Sequence, residues 1–299
     1  MMIRNLSGHL ARSALLALFA MATPAAAQVA AKTCGSALAR EIPKRATGAP
    51  SGTALMADLS ERRGTARDRA VVAQVLSGNV PSFMRQLSTV SIPGTLPSGE
   101  AVTVSICVTP EYLAVGSDED FVRIPMGLPA AAHVASSFGF MLPTPRMVDA
   151  IYRQAKKRVA PSPMKPTSQM ESTDYLLRHN ETVDRQLAGP GTHGQLTAGH
   201  KKDLVLSNRL RAKPGRVAIY GWHRPNGKPI QPLSTVHGAA YADYSHGVRL
   251  VSTTAYVDGK PMPLEDILQD QELANIVTGE GPIRDADRMI AGLSRLIAN

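Results

Sequence analysis

The sequence is poor in aromatics, in cysteine and in long apolar runs. Aromatic residues are 4% of its 299 positions, with a single tryptophan. Rings for base stacking are therefore scarce, and with no recognised nucleic-acid motif no nucleic-acid partner is expected. Two cysteines exclude a disulfide-dense miniprotein, and the composition excludes collagen and coiled coil. After the first 27 residues no stretch approaches 18 apolar positions, which excludes a multi-span membrane protein. Internal repeats are absent, as are the HExxH zinc motif and the GxSxG nucleophile elbow. What is present, 43% hydrophobic and 19% charged residues, suits a globular chain with a sizeable core.

Residues 1–27 read as a secretory signal. Arg4 and Arg12 supply the positive start, and Ser13 to Ala22 (SALLALFAMA) is an apolar run too short for a permanent span. Thr23, Pro24 and Ala25-Ala26-Ala27 then break the helix and offer small residues for cleavage before Gln28. The expectation is a periplasmic or secreted protein with no transmembrane anchor after cleavage. In such a compartment Cys34 and Cys107 most simply pair with each other, closing a loop of roughly 70 residues worth on the order of 4 kcal/mol. Removing the signal takes two arginines and no acid, so the mature excess is +7. That charge suits loose attraction to an anionic extracellular polymer such as cell wall.

Helical spacing is read over Ala66–Leu76, Pro129–Phe138 and Thr144–Arg158, with Thr144-Pro145 as N-cap and first-turn proline. A further helix is expected from Ser172 or Thr173 to about Leu187, and short ones at Leu264–Gln269, Leu273–Val277 and Asp285–Ile297. A short helix is read over Val80–Leu87, and Pro93 to Gly99 reads as turn. Strands are expected at Val102–Val108, Tyr112–Val115, Phe121–Ile124, Asp203–Ser207, Gly215–Tyr220 and the long alternating run Gly247–Val257, which Asp258-Gly259 turns. Strands cluster instead of alternating with helices, so the fold class is α+β with a mixed or antiparallel sheet, one compact domain over 28–299. Within it, an N-terminal lobe (28–158) and a His-rich C-terminal lobe (171–299) would flank the Pro-rich linker 159–170.

Chemistry concentrates in the C-terminal half. Five of eight histidines lie between His193 and His246, four of them in the blocks Gly199-His200-Lys201-Lys202-Asp203, Trp222-His223-Arg224 and His237 through Tyr241, Asp243, Tyr244 and His246. Imidazole and carboxylate at short spacing serve either as metal ligands or as a metal-free acid/base pair. The candidate catalytic set is His200, Asp203, His237, Asp243 and His246. His200, His237 and His246 are candidate ligands of zinc or another first-row metal, although their spacing matches no zinc signature. Lys201, Trp222, His223, Arg224, Tyr241 and Tyr244 would line the substrate groove. Asp118, Glu119 and Asp120 could offer paired carboxylates for glycoside hydrolysis, or form a solvated hairpin tip.

The stretch Val236-His237-Gly238 with Ser245-His246-Gly247-Val248-Arg249 resembles the catalytic signature of the L,D-transpeptidases. Those periplasmic cysteine enzymes crosslink peptidoglycan and carry an HG element followed by SHGC[VI]R. The resemblance spans about 15 residues, lacks the cysteine between Gly247 and Val248, and sets the two His-Gly elements closer together. It implies a wall-facing site without thiol acyl transfer. More broadly, LSGNVPSF, YLAVGSDEDF, LPTPRMVDAIYRQA, GHKKDLVLSNRL and YADYSHGVRLVS resemble a group of secreted bacterial proteins of unassigned activity. That likeness implies a length and an export signal only. The leading expectation is a hydrolase of an extracellular polymer, cell-wall peptidoglycan first. The alternative is a non-catalytic envelope protein that binds wall polymer or a periplasmic partner. Convergence of the His/Asp side chains in an open cleft would favour the enzyme; burial would favour the binder.

Overall fold

A computed structural model describes residues 34–189, 193–286 and 288–289. The expected signal lies outside the described residues, and so does most of the helix expected over 285–297. The fold is α+β in one domain. Its main sheet has six strands: β1 (Ser88–Thr95), β2 (Ala101–Val108), β5 (Phe140–Met141), β12 (Val251–Ser252), β13 (Thr254–Val257) and β14 (Lys260–Pro263). Antiparallel β2 is central, pairing β1 on one side and β12 and β13 on the other. A four-stranded sheet in the order β10 (Pro229–Ser234), β9 (Ile219–His223), β8 (Lys202–Leu204) and β11 (His246–Gly247) carries the His-rich blocks, with β8 and β11 parallel. The hairpin β3 (Ala114–Gly116) and β4 (Phe121–Arg123), and the parallel pair β6 (Lys157–Arg158) and β7 (Thr197–Ala198), complete the strands.

The helices are α1 (Gly52–Asp58), α2 (Gly64–Leu76), α3 (Leu128–Ser137), α4 (Pro145–Gln154), α5 (Thr173–Leu187), α6 (Arg209–Ala212), α7 (Leu264–Gln269) and α8 (Ala274–Val277). Caps behave as the sequence suggests: Thr144 Oγ1 accepts from Met147 N at 3.2 Å and Ser172 Oγ from Tyr175 N at 3.3 Å. Among the described residues no helix is long and apolar enough to cross a membrane. Cys34 and Cys107 form a disulfide that ties the start of the described chain to the end of β2.

Several strands differ from their sequence expectation, for two physical reasons. Prolines hide β1, β10 and β14: Pro93, Pro229, Pro232, Pro261 and Pro263 all sit in strands that pair on one side only, where the missing N–H costs no ladder bond. So the region read as helix and turn over 80–99 is instead a short 3-10 turn (Ser82–Arg85) followed by a full edge strand. The long run 247–257 is not one strand. β11 belongs to the four-stranded sheet, β12 and β13 to the six-stranded one, and Val248, Arg249 and Leu250 cross between them fully buried. Burial on both faces removes the alternation that a half-exposed strand would show. Likewise β9 starts at Ile219, not Gly215.

The segment 159–170 holds neither helix nor strand. It lies against the fold, with Met164 N donating to Tyr244 Oη at 2.8 Å and Met164 and Met170 packed on the core.

Candidate functional site

The sequence candidates fall into three separate places. The first is a buried polar core below β8. Glu111, next to the start of β3, accepts from Tyr112 N at 2.8 Å, contacts His200 Nε2 at 3.1 Å, and sets Oε2 3.1 Å from Arg123 Nε. Burial works to raise the Glu111 carboxyl, but Arg123 and His200 outweigh it and hold the group well below the usual carboxylate range. Arg123 also donates to Asn180 and Asp184 on α5. Asp203 Oδ2 accepts from Tyr112 Oη at 2.8 Å, and burial pushes its carboxyl up to about 6. Lys201 Nζ donates to Tyr244 O at 2.6 Å and lies 3.1 Å from His179 Nδ1; burial, with Arg123 nearby, lowers the amine to about 7. Arg249 stacks 4.2 Å over Tyr112 and donates to Thr109 O and Thr197 O. His200, Lys201, Asp203 and Arg249 are all 3% exposed or less. They hold elements together, and none of them lines the open clefts described below.

The second place gathers His237, Tyr241, Asp243 and His246. Asp243 Oδ1 accepts from Ser245 N and Oγ, and Oδ2 from Tyr241 Oη at 3.2 Å. Burial would raise this carboxyl, but His246, Lys202 and the Ser245 bonds lower it. His246 is fully buried, neither ring nitrogen has a protein partner, and burial lowers it to about 4 against the pull of Asp243. Half-buried His237 and Tyr241 stack at 4.2 Å and cover it, their centroids 6.4 and 5.6 Å from the His246 ring. Two corrections follow. His200 and Asp203 do not join this group, because their bonds to Glu111 and Tyr112 hold them in the first core. And His200, His237 and His246 are not assembled as a ligand set: among the described residues no three His, Cys, Asp or Glu side chains are grouped to hold a metal ion. Gly247 runs directly into fully buried Val248 with no thiol between them, and both cysteines are in the disulfide.

The third place is open. In α4 the spacing of Asp149, Tyr152 and Arg153 puts them on one helical face. Gly221 and Trp222 of β9 have φ of 104° and 56°, and at this kink the Trp222 and His223 side chains diverge. Trp222 is buried near Lys202 (5.1 Å from ring to Nζ) and Tyr244, while His223 stacks on Tyr152 at 4.5 Å and meets Asp149 Oδ1 through Nε2 at 2.8 Å. Tyr220 Oη donates to the same oxygen at 3.0 Å; burial and Asp149 raise the Tyr220 phenol, which keeps its proton. These residues, with Arg158 and the 225–229 turn, line a cleft of about 420 Å³. A neighbouring cleft of about 430 Å³ shares Arg158 and adds Lys156 and Lys157. Of the candidate groove residues only His223 lines this space. Lys201, Trp222 and Tyr244 are buried, Tyr241 belongs with His237, and Arg224 is exposed beside the cleft, its carbonyl accepting from Tyr152 Oη.

Sequence reasoning missed Asp149, Tyr152, Arg153 and Arg158, although their helical spacing and the run RQAKKR were visible. It also missed Glu111 and Arg123, for which no local pattern signals burial. The triple acid 118–120 is capping chemistry: Asp118 accepts from Ser82 N and Asp120 from Thr53 N and Oγ1. Glu119 and Asp120 also line a wider, acidic cleft of about 640 Å³ with Glu181 and Asp184. Comparison with protein-family models, curated proteins and solved structures finds no match to this chain.

Proposed function

We propose that the protein is a non-catalytic envelope protein that binds an anionic extracellular polymer, with cell-wall material first. The observation that carries this reading is the pairing of open clefts with basic residues. Arg153, Lys156, Lys157 and Arg158 line two adjoining solvent-open clefts, whereas nearly all the His/Asp candidates are buried. A solvated basic edge suits a repeating anionic chain, which is held by many weak, screened contacts. The test is cosedimentation of the exported chain with purified wall sacculi. Lys156→Glu/Lys157→Glu should lower the bound fraction by about tenfold, an affinity loss near 1.4 kcal/mol. Unchanged binding would overturn the reading.

One observation favours the hydrolase as a second reading. His246 keeps both ring nitrogens unpartnered beside Asp243 and Ser245, as an acid/base group would need. This version requires the His237–Tyr241 stack to move aside for substrate. It predicts wall fragments released by the wild type and not by His246→Ala, with stability nearly unchanged in the variant.

A further inference from the structure

We propose that the cleft between α4 and the β9–β10 hairpin is a subsite for one unit of that polymer: an oxyanion with a neighbouring hydroxyl, the chemistry shared by polyol phosphates and uronic acids. The inference rests on the polymer-binding reading and names the unit it would grip.

The donors and acceptors in the cleft are already assigned by the protein's own bonds. Asp149 Oδ1 takes the Tyr220 hydroxyl and the Nε2 side of His223. A carboxylate can only accept, so Nε2 carries a proton, and in the neutral imidazole Nδ1 is then an acceptor. No protein group among the described residues bonds Nδ1. A ligand hydroxyl supplies the hydrogen that this nitrogen needs; a bare anion does not. Tyr152, stacked on His223 with its hydroxyl on Arg224 O, holds the ring in this orientation.

The anionic part falls to the arginines. Arg158 spends Nε on Tyr152 O and one Nη2 hydrogen on Arg153 O, with its guanidinium 5.6 Å over the Tyr152 ring, so Nη1 and the second Nη2 hydrogen are left for a ligand. Arg153 is exposed, lines the cleft, and its guanidinium has no hydrogen bond or ion pair among the described residues. Against the single carboxylate of Asp149, two guanidiniums leave the cleft positive. An oxyanion between Arg153 and Arg158 with a hydroxyl toward His223 matches the free guanidinium donors and the imidazole acceptor, and the cleft is large enough for one such unit.

The test is calorimetric titration of the exported chain with glycerol 3-phosphate and glucuronate, each beside its hydroxyl-free counterpart, methyl phosphate and acetate. One hydroxyl-bearing probe should bind saturably and about tenfold tighter than its counterpart, and which one binds identifies the source of the unit. Arg153→Gln, on an exposed position, should weaken that binding by about tenfold. His223→Phe, which keeps a ring on Tyr152, should abolish the preference for the hydroxyl while the melting temperature reports folding. The subsite is overturned if neither hydroxyl-bearing probe binds, if the hydroxyl-free probes bind as well, or if Arg153→Gln changes nothing. Should the probes fail while sedimentation still depends on Lys156 and Lys157, the subsite is wrong and the polymer reading stands. Failure of both removes the polymer reading as well.

Discussion

Glu111 and Arg123 show what buried charge does in this molecule. Each is nearly inaccessible, and each is the other's main electrostatic partner. Removing one leaves the other charged in a low-dielectric interior, so Arg123→Met should cost about 3–5 kcal/mol of folding stability in urea denaturation. Asp203 behaves in the opposite sense. Its carboxyl is raised to about 6 in the fold from an ordinary value of 3.8, so the folded state favours the protonated form. The stability this contributes is fully present below pH 3.8 and is lost as pH rises through about 6, on the order of 3 kcal/mol over that window. Asp203→Asn still accepts from Tyr112 and should flatten that part of the pH–stability curve. Asp68, also raised to about 6 by burial, keeps a remnant of the slope. An unchanged curve in the variant would contradict the assignment.

At the scale of elements, close approach decides more than propensity. A Cβ on Gly247 would stand 2.7 Å from Tyr112 Cδ1 and 2.8 Å from Lys201 Cβ. Gly247→Ala should therefore destabilise by about 1–3 kcal/mol, read as a shift of the denaturation midpoint. The Cys34–Cys107 bridge spans 73 positions, and reduction should lower stability by about 2–4 kcal/mol. What approaches Gly247 most closely is the Tyr112 ring. The disulfide was legible because two cysteines leave one pairing, and the hairpin over Asp118–Asp120, the Asp258-Gly259 turn and the capped helices because local chemistry determines them. Strands β1, β10 and β14 were not, since proline reads as a breaker until one knows that these strands lie at sheet edges. Nor was the separation of His200 and Asp203 from His246, which depends on Glu111 and Tyr112, about 90 residues away in sequence. Histidine density points to the C-terminal half of the chain, whereas the open cleft is completed by α4, on the other side of the expected linker.

The molecule as a whole divides its charge between clefts of opposite sign. Lys156, Lys157 and Arg158 border one open region, whereas Glu119, Asp120, Glu181 and Asp184 border the wider one. Binding to an anionic polymer should accordingly weaken steeply with salt, and Glu119→Gln should leave it unchanged. The buried histidines then serve as structure, fixing β8 and β11 against the strands and helix beneath them. The measurement that bears most directly on this account combines binding and turnover in one tube: the protein incubated with purified sacculi, the pellet assayed for protein and the supernatant for released fragments by mass spectrometry. The account predicts protein in the pellet, displaced by salt, and no fragments. Fragments released by the wild type and absent with His246→Ala would contradict it and move the function to the site beneath His237 and Tyr241.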